Sequence, residues 1–163
     1  MAWLLATASA CQAQLFADAA WKEGPVPPPP AFDTTRLIAI DAPRGSTLRF
    51  GVDPATLSVG ADGVVRYVVV ASSDSGALNA LHEGIRCASG EFRVYARFHR
   101  DGGWTASTDA GWQSLFANMP SRHPLALARA GLCMNSAPNG PVERIVRDLR
   151  APADRKFDAA AHR

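Results

Sequence analysis

The sequence predicts an α+β domain: a meandering antiparallel sheet of five or six strands covered on one side by short C-terminal helices. Three observations carry this prediction. In "EFRVYARFHR", residues 91–100, apolar and polar residues alternate as they do in a half-buried strand. Turn signals punctuate the middle of the chain: Asp62-Gly63, "SSDSG" at 72–76, "ASG" at 88–90 and "DGG" at 101–103. Beyond residue 110 the apolar period changes from two residues to that of a helix.

The elements follow in order. "GPVPPPP", residues 24–30, favours polyproline II and excludes a helix or central strand, so residues 14–31 read as a Pro-rich linker. A proline-recognising partner is the alternative use of that run. The globular domain is expected over 32–150, with a flexible tail at 151–163. "RLIAI", 36–40, is a short apolar first strand. "TLRFGVD", 47–53, sets Leu48, Phe50 and Val52 on one face. Val64 to Ala71 is apolar on both faces except at Arg66, as in a central strand, and Asp62-Gly63 turns the chain into it. A strand from Ala77 to Cys87 comes next, then Glu91 to Arg100. In that last strand Phe92, Val94, Ala96 and Phe98 are expected on one face, and Arg93, Tyr95, Arg97 and His99 on the other. Trp112, Leu115 and Phe116 stand at helical spacing. Ser121 precedes "RHPLALARAG", with Pro124 in the first turn and Gly131 as the stop. Pro141 opens a short amphipathic helix with Val142, Ile145, Val146 and Leu149 on its stripe.

Composition fits one globular domain with a single core: 163 residues, 47% apolar and 20% charged. A formal charge of +2 argues against nucleic acid as partner. Only Lys22 and Lys156 among the 17 basic residues are lysine, a bias that GC-rich coding explains more simply than anion recognition.

The N-terminus, "MAWLLATASACQAQLF", has the apolar run and small residues of an export signal but no basic start, so the true start is expected a few residues upstream. Residues 1–13 are the signal or lipid-attachment segment. Ala8-Ser9-Ala10 before Cys11 resembles a lipoprotein signal, with Ala8 where such signals usually carry Leu. Cleavage after Ala13 is the competing reading. Either removes Cys11 from the count and leaves Cys87 and Cys133 as a pair in an oxidising compartment. A bridge between them would close a loop of about 47 residues and contribute roughly 4 kcal/mol in the chain-entropy model. A catalytic thiol and two free buried cysteines are the alternatives. No C-x-x-C spacing points to zinc or to a redox motif.

Catalytic groups are sparse. His82, His99, His123 and His162 form no ligand pair, no G-x-S-x-G is present, and "SSDSG" reads as turn chemistry. No catalytic residue, metal or cofactor is therefore expected. The candidate binding face is Arg86, Arg93, Tyr95 and Arg97, whose forked donors suit an anionic partner. A solvated face with internally paired arginines is the competing account.

"FDTTRLIAID", the run "LRFGVDPATLSVGADGVVRYVVVASSDSGALNALHEGIRCASGEFRVYARF" and "SRHPLALARAGLC" together resemble the cryptic neisserial protein one-like family, exported proteins of β-proteobacteria and their relatives. The resemblance spans roughly residues 32–150. It implies a Gram-negative envelope location and family-typical cysteines at 87 and 133, and it implies no activity. A cysteine ending one strand just before the next is also similar to small surface-adhesin domains, a likeness of fold only. The expected function is thus a non-enzymatic cell-envelope module, binding or structural, in the periplasm. It is either free or lipid-anchored to the outer membrane, with an envelope protein or anionic envelope component as partner. The alternative is a periplasmic hydrolase in which His82, Glu83 or Asp74 converge in a cleft.

Overall fold

The computed structural model describes residues 21–41, 46–101, 103–108, 111–119 and 121–151. The expected signal segment with Cys11, and all but the first residue of the tail, lie outside these residues.

One antiparallel sheet organises the chain. Its strands are β1 (Ile38–Ile40), β2 (Arg49–Val52), β3 (Ser58–Val59), β4 (Val64–Ser72), β5 (Leu78–Arg86), β6 (Glu91–His99), β7 (Gly103–Ala106) and β8 (Gln113–Ser114). The spatial order is β1-β2-β4-β5-β6-β7, with β3 also on β4 and β8 also on β6, so eight strands stand where five or six were expected. β3 is the first arm of the hairpin that Asp62-Gly63 signals, and β8 is a two-residue pairing too short to show a period in sequence. β4 is the central strand: Val64 to Val70 are all buried, as its two-sided apolar run predicts.

Two helices follow. α1 (His123–Leu127) runs into a wide turn, Ala128–Leu132, within which Gly131 leaves the helical conformation. Gly131 has φ +140°, and a Cβ there would stand 3.0 Å from Asp148 Cβ, so both the backbone and the neighbouring helix require glycine. α2 (Val142–Arg150) buries Ile145 and Leu149. A two-stranded ribbon, β9 (Cys133–Met134) with β10 (Ala137–Pro138), joins them. Leu127, Leu132 and Ile145, all at 0% exposure, pack with Phe50, Val65, Tyr67, Ile85 and Phe92 from one sheet face. Burial of each such side chain contributes about 1.5–3 kcal/mol. Trp112 and Leu115 do not lie on a helix. β8 pairs Gln113 and Ser114 with Phe92 and Glu91, and Leu115 tucks into the core.

The Cys87–Cys133 disulfide is formed, with Cα atoms 5.7 Å apart across a separation of 46 residues. It ties the end of β5 to the segment leaving the helical turn.

The opposite sheet face is not bare. Val68, Val70 and Ala80 pack there with Phe32, Leu37, Phe98 and Trp104. The chain ahead of residue 32 takes part as well: the Trp21 indole N–H donates to Asp62 O, and Gly24 N donates to Asp62 Oδ2. Part of the stretch expected to be a Pro-rich linker, from Trp21 to Gly24, is docked on the domain.

Candidate functional site

The strand that carried the predicted binding face does not keep its alternation. Along β5 and β6 the register runs Glu83↔Val94 and then His82↔Ala96, leaving Tyr95 as an extra residue. Such a bulge puts consecutive residues on one side and exchanges the faces beyond it. Phe92 and Val94 therefore face the helices, while Phe98 lies on the opposite side against Phe32 and Trp104. Arg93 and Tyr95 share that opposite side, and Arg97 is carried over to the helix side, in register with Leu81. Gly84 makes room for the bulge, since a Cβ there would stand 2.5 Å from Tyr95 Oη.

On the opposite face the predicted residues are occupied from within the chain. Glu23 accepts from Arg93 Nη1 and from Tyr95 Oη, both at 2.6 Å, and lies 3.5 Å from Arg66 Nη2. The Arg86 guanidinium sits 3.9 Å over the Trp21 ring and pairs with Glu91. Asp62 binds Arg66 through both oxygens and also accepts from Val64 N and Gly24 N. The Arg66 hydrogen bond, aided by these backbone donors, outweighs burial and holds the Asp62 carboxyl down at about 2. Burial, reinforced by the Glu23 hydrogen bond, pushes the Tyr95 phenol up. His82 lies in the same layer, between Tyr95 and Trp104; burial and then the Arg66 charge lower it to about 4. Asp53 forms a separate tie: buried, it accepts from Arg36 Nε and Nη2 and from the amides of Asp33 and Ala55. These contacts fasten residues 21–36 across the sheet. They make Arg86, Arg93 and Tyr95 internal partners rather than an open recognition face.

The helix side presents a different arrangement. Glu83 is at 0% exposure. It accepts from Tyr67 Oη at 3.0 Å and faces His123 Nε2 at 2.9 Å through Oε2 and 3.1 Å through Oε1. Burial, reinforced by Glu83, keeps the Tyr67 phenol well above its ordinary value and thus a donor. His123, at the start of α1, stacks on Phe50 with ring centroids 5.1 Å apart at 11°. Its other nitrogen, Nδ1, is 2.7 Å from Ser121 Oγ. In the tautomer that carries its proton on Nε2, the ring donates to Glu83 and Nδ1 accepts from Ser121 Oγ–H. Ser121 and His123 then open onto a groove of about 260 Å³ whose walls include Leu48, Phe50, Leu81 and Arg97. Among the described residues Arg97 has no carboxylate within ion-pair distance, and His99 lines the same groove.

A family model, that of the CNP1-like family, matches residues 16–150. The chain belongs to the CNP1-like family. No curated protein and no solved structure matches it. The match begins ahead of Trp21, so in this CNP1-like protein the matched region includes the segment docked through Trp21 and Glu23 as well as the sheet and helices.

The residues named for a hydrolase do not meet. His82 and Glu83, adjacent on β5, point to opposite faces, and Asp74 is exposed in the β4–β5 turn, paired with Arg49. Glu83 instead finds His123, forty positions away. Ser121 and His123 were missed as a pair because Ser121 reads as a helix start and His123 as one of four scattered histidines. The available signal was Glu83 itself, a carboxylate on the apolar side of a strand, which must have buried partners. Among the described residues of this CNP1-like protein, no group of three or more His, Cys, Asp or Glu is placed to hold a metal.

Proposed function

We propose that the protein is an exported cell-envelope module that binds a small anionic molecule with an apolar portion. The groove beside Ser121 and His123 is its binding element. The observation that carries this reading is Arg97: exposed, unpaired among the described residues, and set on the wall of a groove that also presents Leu48, Phe50 and Leu81. A guanidinium in that position offers a forked pair of donors to a carboxylate or phosphate. Leu48, Phe50 and Leu81 offer an apolar wall to a short chain, and about 260 Å³ suits a ligand smaller than a typical drug-sized molecule. Export and envelope location rest on the apolar N-terminal run and on a disulfide of the kind that persists in oxidising compartments.

Calorimetric titration of the protein with octyl phosphate tests this reading. Saturable binding that Arg97→Glu abolishes, with the melting temperature unchanged, is the expected result. Equal binding by Arg97→Glu would refute it.

A further inference from the structure

The groove wall holds more than a binding site needs. A solvated ligand pocket has no use for a fully buried carboxylate, because burying that group costs several kcal/mol unless its partners are arranged around it. Here they are arranged in one line: Tyr67 Oη to Glu83, Glu83 to His123 Nε2, His123 Nδ1 to Ser121 Oγ. Both ends of the imidazole are within hydrogen-bond distance, and the hydroxyl at the end of the line opens onto the groove. A nucleophile on a base, the base oriented by a buried acid, is the general layout of an activated hydroxyl.

We propose that Ser121 is a nucleophile and that the groove hydrolyses small carboxylic esters bearing an anionic substituent. This inference rests on the groove being the ligand site. Ser121 Oγ attacks the ester carbonyl carbon while its proton passes to His123 Nδ1. The tetrahedral adduct collapses, the ester C–O bond breaks, and the departing alkoxide takes that proton from Nδ1. Water then attacks the acyl-serine, gives a proton to Nδ1, and the carboxylic acid leaves as Ser121 Oγ regains the proton. Glu83 stabilises the imidazolium formed in each half and holds the ring so that Nδ1 faces Ser121. Tyr67 is a positioning residue: it occupies Glu83 Oε2 and restrains the carboxylate. Arg97 takes the anionic substituent. The imidazole is used in the reverse sense to the serine proteases, with the acid on Nε2 and the hydroxyl on Nδ1. Either ring nitrogen can accept a proton while the other donates.

The test uses the full chain and a neutral alkyl fluorophosphonate, with peptide mass spectrometry to locate the adduct. One adduct on Ser121 is expected, absent in Ser121→Ala and formed at least about a hundredfold more slowly in His123→Gln. Hydrolysis of 4-nitrophenyl butyrate should fall in the same variants. Ser121→Ala removes one oxygen from a half-buried position, so it keeps the test valid should His123→Gln fail to fold. An unlabelled Ser121 in protein that still binds octyl phosphate overturns the nucleophile and leaves the binding reading standing. Labelling without octyl phosphate binding does the reverse. An adduct that persists in Ser121→Ala also overturns the nucleophile.

Discussion

Replacing Glu23 with glutamine should destabilise the domain although residue 23 lies in a stretch that reads as a linker. The carboxylate, 14% exposed as a side chain, accepts from Arg93 and Tyr95 at 2.6 Å and supports Arg66 at 3.5 Å. Hydrogen bonds to charged groups contribute about 1.5–3 kcal/mol each. The Arg93 pair is 27% exposed on the arginine side and belongs at the low end of that range. Arg66 keeps Asp62, so its loss is small. The amide can still accept one hydrogen bond, which leaves a net cost of roughly 2–4 kcal/mol. For a domain of this size that lowers the melting temperature by roughly 6–15 °C. Scanning calorimetry at pH 7 reads the shift directly, with Glu143→Gln at an exposed position of α2 as control. A melting temperature within about 2 °C of wild type would refute the reasoning: Arg93 and Tyr95 would then not depend on Glu23, and the face first expected to recognise ligands would be open.

Three further outcomes follow from the same contacts. Reducing Cys87–Cys133 opens a constraint spanning 46 residues and should cost about 4 kcal/mol in urea unfolding, and an unchanged midpoint would contradict the staple. His82 lies at about 4 in the folded chain against 6.5 for the free group. The unfolded chain therefore takes up the proton first. The contribution of neutral His82 is complete above pH 6.5 and is lost as pH falls from about 6.5 to 4, on the order of 3 kcal/mol. His82→Phe should flatten that part of the stability profile, and a profile identical to wild type would contradict the assignment. Tyr67→Phe removes one donor from a buried carboxylate and should cost about 1–3 kcal/mol without altering secondary structure by circular dichroism.

Much of the sheet was legible because β4, β5 and β6 announce themselves through period and turn chemistry. The Asp62-Gly63 turn, the two-sided apolar run of β4 and Pro141 ahead of α2 appear where the residues place them. The pairing of Cys87 with Cys133 followed from counting. What stayed hidden depends on contacts that leave no local period. The bulge at Tyr95 is invisible in "EFRVYARF" because the letters alternate through it. Only the pairing with His82 and Glu83 reveals that the faces exchange there. That single extra residue separates Arg97 from Arg93 and Tyr95, and so divides one expected site between two sides of the sheet. Glu23 and Trp21 were masked by the prolines after them, whose stiffness says nothing about where the preceding residues dock. Trp112, Leu115 and Phe116 show how a helical spacing over five residues misleads: Leu115 is buried beside a two-residue strand, while Phe116 stands 68% exposed. His123 meets Glu83 across 40 positions, a distance no motif spans.

The proposed ligand site is the groove on the helix side of the sheet, while Arg93 and Tyr95 hold Glu23 on the opposite face. Amide chemical-shift mapping during titration with octyl phosphate tests that placement most directly. The predicted result is a cluster of shifts at Phe50, Leu81, Arg97, Ser121 and His123, with Trp21, Glu23 and Arg93 unmoved. Shifts concentrated at Glu23, Arg93 and Tyr95, with the groove silent, would contradict it.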